Sequence, residues 1–426
     1  MKIAVAVHNN VRADARVIRQ ARTLRRAGHA VAVWGLTAQP GGEHFEIDGG
    51  IPVTLVERTK PRAGACVAEA DDDLAARVRA AGGDDTTLKQ ARKVMASFAH
   101  QGRLLADAIA DAPQPDAVHI HDHVALTAVA RYRRELGLPV VWDAHEIYEA
   151  LAGLEDVRRH VNPAIIAAAQ HHVDRFVTIS DSIATFYAER YPGLPSATVL
   201  PNAAEHAPAA RYDGRLHAAA GLPASQRILL FQGGFAAHRG IGHLLAAAPD
   251  LAPHWSVVFM GWGAMQEMME AAVAAMPPAM PGVPRAAIIP GAPHAELMAW
   301  TAGASLGAIP YENVGLNHLY CTPNKLWEYP MAGVPILATD LVELGRSLRS
   351  NGIGVLLPRA FDAEDVVQAV NGTTDDGLAS MGRACARYAE RENWQAYEGS
   401  LLNCYATLCP RPSSWLLRVL GLSRAS

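Results

Sequence analysis

The sequence predicts an α/β protein made of two doubly wound, parallel-sheet domains in series. Three observations predict it. Short apolar and β-branched runs alternate with longer stretches of helical periodicity. The alternation breaks once, in a polar stretch containing Ala and Gly at 203–226, and then resumes. The 426 residues suffice for two or three domains that each bury a core.

In the first half the predicted strands are 3–7, 30–34, 117–120, 140–142, 176–179 and 198–200. Between the first two, Val17, Ile18, Ala21 and Leu24 recur at helical spacing, with the arginines expected on the other side. Such βαβ units imply a parallel sheet covered on both faces. Residues 57–95 include "AEADDDLAARVRAAGGDDTTLKQARK" and read as charged surface helix and loop, a helical insertion over about 57–110. In the second half the predicted strands are 228–231, 257–260, 287–289, 306–309, 336–338 and 355–357. The expected domains are 1–205, 206–390 and a C-terminal helical segment, 391–426, packing back on the first domain. That segment ends in "PRPSSWLLRVLGLSRAS", with Trp415, Leu416, Leu417, Val419, Leu420 and Leu422 beside Arg418 and Arg424 after a proline break. Docking on the protein itself is favoured over an interfacial helix, because one short apolar face binds a membrane weakly.

The net charge is −4, and basic residues are spread rather than run together, so no global field exists to hold nucleic acid. Five cysteines, Cys66, Cys321, Cys385, Cys404 and Cys409, lack paired zinc spacing and imply a reducing compartment. The opening "MKIAVAVHNN" reads as a first strand, since its apolar stretch is shorter than the core of a signal peptide. No apolar run reaches the roughly 18 residues that cross a bilayer. A cytoplasmic location is expected, with any membrane contact peripheral and at the inner face.

Ligands of open α/β sheets bind beyond the carboxyl ends of the strands. The strand at 228–231 runs into "QGGFAAHRGIGHLL", where Gly233 and Gly234 permit close approach and Arg239 precedes the next helix. Backbone amides, helix dipole and guanidinium would converge there on an anion. In "TPNKLWEYPMAGVP", at 322–335, Thr322 is expected to cap a short helix, Pro323 to occupy its first position and Gly333 to end it. Asn324, Lys325 and Glu328 then share one face. Lys325 and the first-turn amides suit a diphosphate, and the Glu328 carboxylate suits two ribose hydroxyls. The plain alternative is an exposed Lys325–Glu328 ion pair worth about 0.2–0.5 kcal/mol.

In the first domain "VHIHDHVAL" alternates His119, His121 and His123, which point to one side if the strand continues through them. With Asp122 the string lies near a zinc-hydrolase ligand run but is one residue short. The favoured reading is a strand end where one histidine lines the cleft and the others bond to backbone. "VVWDAHEIYE" offers Asp143, His145 and Glu146, which either orient the following helix or contact substrate.

Taken together, these stretches resemble the retaining glycosyltransferases of the GT-B fold, most closely family 4 (glycosyl transferases group 1). The marks are "DARVIRQARTLRRAGHAVAVW" at 14–34, "PDAVHIHD" at 115–122, "VVWDAHE" at 140–146, "VTISDSIA" at 177–184, "VLPNA" at 199–203, "GGFAAHRGI" at 233–241 and "PNKLWEYPMAGVPILAT" at 323–339. The resemblance implies two Rossmann-like domains facing a central cleft, with the acceptor bound by the N-terminal domain and a nucleotide-sugar donor by the C-terminal one. It places Glu328 at the donor ribose, Arg239 and Lys325 at the diphosphate, and His121 facing the donor sugar. These four would be the catalytic set, with Gly233, Gly234, Tyr320, Pro323, Asn324 and Leu326 completing the donor site. Asn10, Asp14, Arg16, His145 and Glu146 would lie with His121 on the acceptor side. Two positions depart from the family pattern: Tyr320 stands where the first of two glutamates is usual, and Gly234 replaces an arginine of the phosphate loop, for which Lys325 is expected to compensate.

The implied activity is that of a retaining hexosyltransferase in polysaccharide or glycoconjugate biosynthesis, transferring sugar from a nucleoside-diphosphate donor to an acceptor hydroxyl without cofactor or metal. The acceptor would be a glycan, a lipid-linked saccharide or a small metabolite. The rivals are a GT-B nucleotide-sugar epimerase or pseudo-glycosyltransferase, a zinc hydrolase built on His119, His121 and His123, and a non-catalytic nucleotide-sugar-binding subunit.

Overall fold

The computed structural model describes residues 1–61, 68–207, 212–406 and 408. Two compact units emerge, one comprising Met1–Pro201 and the chain from Glu398, the other Asn202–Tyr397. The expected boundary was 205/206. Cys66, Cys409 and the apolar positions from Trp415 to Leu422 lie outside the described residues. Among the described residues no helix is long and apolar enough to cross a membrane.

Unit 1 carries strands β1 (Lys2–Ala6), β2 (Ala30–Thr37), β3 (Glu43–Ile47), β4 (Ile51–Glu57), β5 (Ala117–His121), β6 (Val140–Ala144), β7 (Arg175–Thr178) and β8 (Ala197–Val199). They form one sheet in the order β3-β4-β2-β1-β5-β6-β7-β8, parallel except for the antiparallel edge strand β3. Unit 2 carries β9 (Arg227–Gly234), β10 (Trp255–Trp262), β11 (Ala286–Pro290), β12 (Leu306–Ile309), β13 (Ile336–Thr339) and β14 (Gly354–Leu357), in the order β11-β10-β9-β12-β13-β14. All its pairs are parallel. Both sheets are of the doubly wound kind that the alternating pattern predicts.

Three features of unit 1 correct the sequence reading. The β3–β4 hairpin occupies a stretch to which the sequence reading assigned no element. The supposed surface insertion over about 57–110 belongs largely to the core: helix Asp85–Ala110, capped by the Asp84 carboxylate on Thr87 N–H (2.8 Å), is the crossover from β4 to β5. Its buried stripe includes Leu88, Met95, Phe98, Leu105 and Ile109, and apolar burial of this kind offsets the cost of ordering a long helix. The arginines of helix Ala15–Arg26 are not all outward either. Arg16 is 6% exposed and makes a two-pronged pair with Asp143 (both 2.9 Å), while Arg19 is also buried. A carboxylate fixed at the end of β6 draws the guanidinium inward.

Helix Trp394–Ala406 begins in unit 2 and ends in unit 1. Glu398 accepts from Thr23 Oγ1 (2.9 Å) and pairs with Arg26, Cys404 Sγ lies 3.4 Å from Thr198 Oγ1, and the Tyr405 hydroxyl lies 2.6 Å from His119 Nδ1.

In unit 2 helix Lys325–Met331 is seated on the sheet by Tyr329. That phenol is fully buried, donates to Leu230 O (2.8 Å) and lies flat against Gly307 of β12, where a Cβ would come within 2.4 Å of the ring. Neither partner can give way, since the ring is held by its hydroxyl and the glycine by the ladder. Gly307→Ala is therefore expected to cost about 1–3 kcal/mol by overpacking, read as a lowered midpoint of thermal or urea unfolding.

Candidate functional site

Unit 2 gathers its polar groups at the carboxyl ends of β9 and β12. β9 is apolar from Ile228 through Phe231 and ends in Gln232, Gly233 and Gly234. Gly233 has φ +112°, and a Cβ on it would sit 3.2 Å from Lys325 Nζ. The missing side chain is what lets the lysine ammonium cross the strand end. The connection out of β9 turns through His238 and Gly240, with φ of 62° and 71°. A Cβ on Gly240 would stand 1.9 Å from Pro310 O, so only glycine lets this loop lie against the end of β12. His238 Nδ1 is 2.9 Å from Glu312 Oε2, and Glu312 N–H donates to His238 O (3.1 Å), fastening the loop to the segment after β12.

Arg239 and Lys325 meet on one atom. Arg239 Nη1 and Lys325 Nζ, the latter at 3.1 Å, both donate to the phenolic oxygen of Tyr311. The guanidinium carbon lies 4.5 Å from the Tyr311 ring centre, and the ammonium 5.3 Å from the Phe231 ring centre. Lys325 is only 8% exposed. Among the described residues neither cation has a carboxylate at ion-pair distance, although most of the buried or half-buried cations elsewhere in the chain do.

Glu328, one turn beyond Lys325, is half-buried, and its Oε2 accepts from Gln232 Nε2 (2.8 Å). Gln232 Oε1 in turn accepts from Thr301 Oγ1 (2.8 Å). Gly233, Arg239, Lys325 and Glu328 are thus brought together around the end of β9. The exposed Lys325–Glu328 ion pair is not formed, because the ammonium turns to Tyr311 and the carboxylate to Gln232.

Other details differ from the sequence reading. The helix starts at Lys325, and its N-cap, Asn324, has helical dihedrals and no side-chain cap. Thr322 therefore lies too early to cap, and its buried hydroxyl has no hydrogen-bond partner. Leu326 points into the core at 2% exposure. Pro323 is half-buried, Asn324 and Gly234 are exposed, and Tyr320 closes the short helix Leu316–Leu319.

Unit 1 presents a different chemistry at the ends of β1, β5 and β6. β5 ends at His121, and Asp122 turns the chain with φ 65° into helix Asp122–Leu126. The three histidines accordingly do not share one face. His119 and His121 stack with ring centres 4.5 Å apart, while His123 sits on the helix between Phe98 and Tyr148. A three-histidine zinc site does not form. His119, His121 and Asp143 do bring one ligand atom each within 4.8 Å of one another, but Arg16 already occupies both oxygens of Asp143, and Gln20 Nε2 adds a third bond (2.7 Å). His121 Nδ1 lies 3.7 Å from Asp143, and its Nε2 is buried without a hydrogen-bond partner.

Asp122 is ringed by His8 Nδ1 (3.1 Å), His145 Nε2 (3.2 Å) and the Tyr148 hydroxyl (2.8 Å). Burial alone would raise the pKa of Asp122 and of Asp143. The partners win, and both carboxyls stay well below the usual range, Asp122 through His145, His8 and Tyr148, Asp143 through Arg16, His121 and His145. Burial holds His119 and His121 below the ordinary histidine value and pushes His123 down to about 3. His145 goes the other way: burial lowers it, but Asp122 and Asp143 overcome that and raise it. Asp14 caps helix Ala15–Arg26 by accepting from Val17 N–H (3.0 Å), Asn10 is exposed, and Glu146 lends its carbonyl to the Tyr187 hydroxyl (2.8 Å).

Sequence reasoning missed Tyr311, Gln232 and His8. Each lies at or just after the carboxyl end of a strand, so a search of those positions for polar side chains would have found all three.

Comparison with known proteins places these observations. The profile described as Glycosyltransferase Family 4 matches residues 13–207, and that described as Glycosyl transferases group 1 matches residues 226–376. No curated protein matches the sequence. Among solved structures, sucrose-phosphate synthase from Thermosynechococcus elongatus is similar with a TM-score of 0.72 at 14% identity, over 99% of this chain and 100% of that one. Anabaena HepE in complex with UDP-glucose gives 0.68 at 12%, over 96% and 100%. WaaG, a glycosyltransferase involved in lipopolysaccharide biosynthesis, gives 0.64 at 12%, over 95% and 100%. At such identities the likeness is one of fold. The two profiles between them cover both units and most of the chain, which belongs to glycosyltransferase family 4 and has the GT-B fold of two Rossmann-like domains.

Proposed function

We propose that unit 2 binds a nucleoside-diphosphate sugar, and that the enzyme transfers the sugar to an acceptor hydroxyl with retention at the anomeric carbon. One observation carries this reading: two cations, one of them buried, converge on one phenolic oxygen with no carboxylate at ion-pair distance among the described residues. Burying an unpaired charge is costly, and a diphosphate bridging Arg239 and Lys325 would remove that cost. Glu328, held by Gln232 one helical turn away, supplies the acceptor for ribose hydroxyls. The UDP-glucose bound by HepE makes that donor the first to test.

In the proposed reaction the bond from the anomeric carbon to the diphosphate oxygen breaks, and the bond to the acceptor oxygen forms on the same face. The acceptor proton passes to the departing phosphate. Negative charge grows on the diphosphate, so fixed cations stabilise the transition state more than the ground state. Arg239 and Lys325 fill the role a divalent ion plays in metal-dependent transfer, and we assign no metal. His121 belongs to the sugar-facing side in this reading. Its low pKa keeps it neutral, able to exchange a hydrogen bond with a sugar hydroxyl through Nε2, while the Arg16–Asp143 pair holds its surroundings. The acceptor, a glycan, lipid-linked saccharide or metabolite hydroxyl, is assigned to unit 1.

Arg239→Ala should lower kcat by on the order of 10²–10³, the loss typical of one preorganised charge-stabilising donor. Glu328→Gln, which weakens a charged hydrogen bond worth about 1.5–3 kcal/mol, should raise the KM for donor by roughly 10- to 100-fold. Steady-state kinetics with a matched donor check both, and unchanged turnover in both variants would overturn the donor site. Treatment with a chelator followed by gel filtration should leave the rate unaltered. A dead enzyme revived by zinc or magnesium would sink the metal-free assignment.

The His145 pKa is raised on folding, so its stabilising contribution is complete below the unfolded value of about 6.5 and is lost as pH rises through the folded value. His145→Asn should therefore reduce the urea midpoint most at pH about 5.5. The gap to the parent should narrow steadily on the alkaline side.

A further inference from the structure

β10 is buried along its length except at its last residue, Trp262, which is 65% exposed. Tryptophan is highly buried on average, and this one is the most open of the large apolar residues exposed among those described. Its backbone is fixed nonetheless. Trp262 pairs with Gly234 in the β9–β10 ladder, its carbonyl accepts from Phe235 N–H (2.7 Å), and the next residue, Gly263, has φ +155° where a Cβ would stand 2.3 Å from Phe235 O. The ring has a seat as well. It lies against Gly291, just past the end of β11, where a Cβ would come 2.3 Å from Cζ3 and 2.5 Å from Cε3. The six-membered part of the indole therefore rests on bare backbone while most of the residue stays open. An indole left in water forgoes the burial it would gain in a core, and a flat aromatic ligand would restore it.

Side chains two residues apart on a strand share a sheet face. Val258 and Met260 pack in one core cluster with Leu230, Leu326 and Tyr329, so Trp262 projects on the face that carries helix Lys325–Met331. Gln232 projects there too, as its bond to Glu328 shows, and it pairs with Met260 in the ladder. Trp262 thus stands one strand over from Gln232 and two residues nearer the carboxyl edge, roughly 8 Å away between Cα atoms. From β12 toward β11 the groups follow one order: the Arg239–Lys325–Tyr311 cluster, then Glu328 with Gln232, then Trp262. We propose that Trp262 is the stacking platform for the base of the donor nucleotide, an assignment that rests on the donor reading above. Phosphate, ribose and base succeed one another in a nucleoside diphosphate as the cations, the carboxylate and the indole do here. Gly261 and Gly263 beside the ring in the chain, and Pro290 and Gly291 across the ladder, bring no polar side chain. The indole offers a face and no edge recognition, and such stacking tolerates any base, since every base has a π-face.

The test is calorimetric titration of the full-length chain with UDP, GDP and ADP, alongside light scattering of the same samples. Trp262→Ala should weaken every nucleoside diphosphate that the parent binds by about 5- to 100-fold, the loss expected for one aromatic–base stack. Trp262→Phe, which keeps a ring, should stay within about threefold of the parent. Undiminished binding by Trp262→Ala, a Phe variant as weak as the Ala variant, or a lower solution mass for the Ala variant, marking the ring as a contact between copies, would each overturn the inference. Arg239→Ala keeps the two readings apart: if it weakens the nucleotides and Trp262→Ala does not, the donor site stands and the platform falls. A parent that binds none of the three overturns the donor reading, and the platform with it.

Discussion

The organisation of unit 2 depends on an imbalance of charge at the end of β9. Arg239 and Lys325 repel each other, yet both donate to the one oxygen of Tyr311. Holding them there requires rigid supports on three sides. The bare strand end at Gly233 makes room for the ammonium, Gly240 brings the arginine loop against Pro310, and Tyr329 pins the helix that carries Lys325. Stability is given up locally to keep two positive groups aimed at one place, which is the usual physical signature of a site completed by a ligand.

Unit 1 resolves its charges internally. Arg16 and Gln20 satisfy Asp143, and His8, His145 and Tyr148 satisfy Asp122. Such closed networks orient neighbouring groups without attracting a strongly charged ligand. Among the buried ring nitrogens they leave without a hydrogen-bond partner is His121 Nε2. A neutral donor or acceptor set in a balanced surround suits the hydroxyls of a sugar, whereas the open cations of unit 2 suit a phosphate. The proposed division of labour between the units therefore rests on how far each balances its own charge.

Much of this was legible in the sequence. Twelve of the thirteen described parallel strands announced themselves because buried parallel strands are nearly unbroken apolar runs, such as "AVAVW" and "RILLF". The β3–β4 hairpin did not, since its edge strand alternates Glu43, His44, Phe45, Glu46 and Ile47, and Pro52 interrupts its partner. Helix Asp85–Ala110 was mistaken for surface because the stretch leading into it, "DDDLAARVRAAGGDD", and its own first turns are rich in charge, although its buried residues fall on one face. At the site, Arg239, Lys325 and Glu328 stood out as charges within apolar motifs. Tyr311 and Gln232 did not, because a phenol and an amide near a strand end are chemically bland until three dimensions show what points at them. Thr322 misled for the opposite reason: the residue type suits a cap, but the backbone places the helix start at Lys325.

Tyr311 bears most directly on how such a site can bind tightly without rearranging. A phenolic oxygen accepting from two cations uses its acceptor capacity fully, and its own proton must point elsewhere. In the proposed donor complex a diphosphate between the cations would take over both donors, adding the attraction of opposite charges to bonds that a phenolic oxygen accepts without a charge of its own. The exchange frees the Tyr311 hydroxyl to donate to the same anion. If each of the three groups changes partner while its side chain stays in place, little conformational freedom would be lost on binding. The same economy extends to catalysis, because donors already aimed at the bridging oxygen need not move as charge develops on it. On the proposed reading, a phenol between two cations holds them as the diphosphate would, and an aromatic hydroxyl suits that position better than a carboxylate, which would compete with the diphosphate.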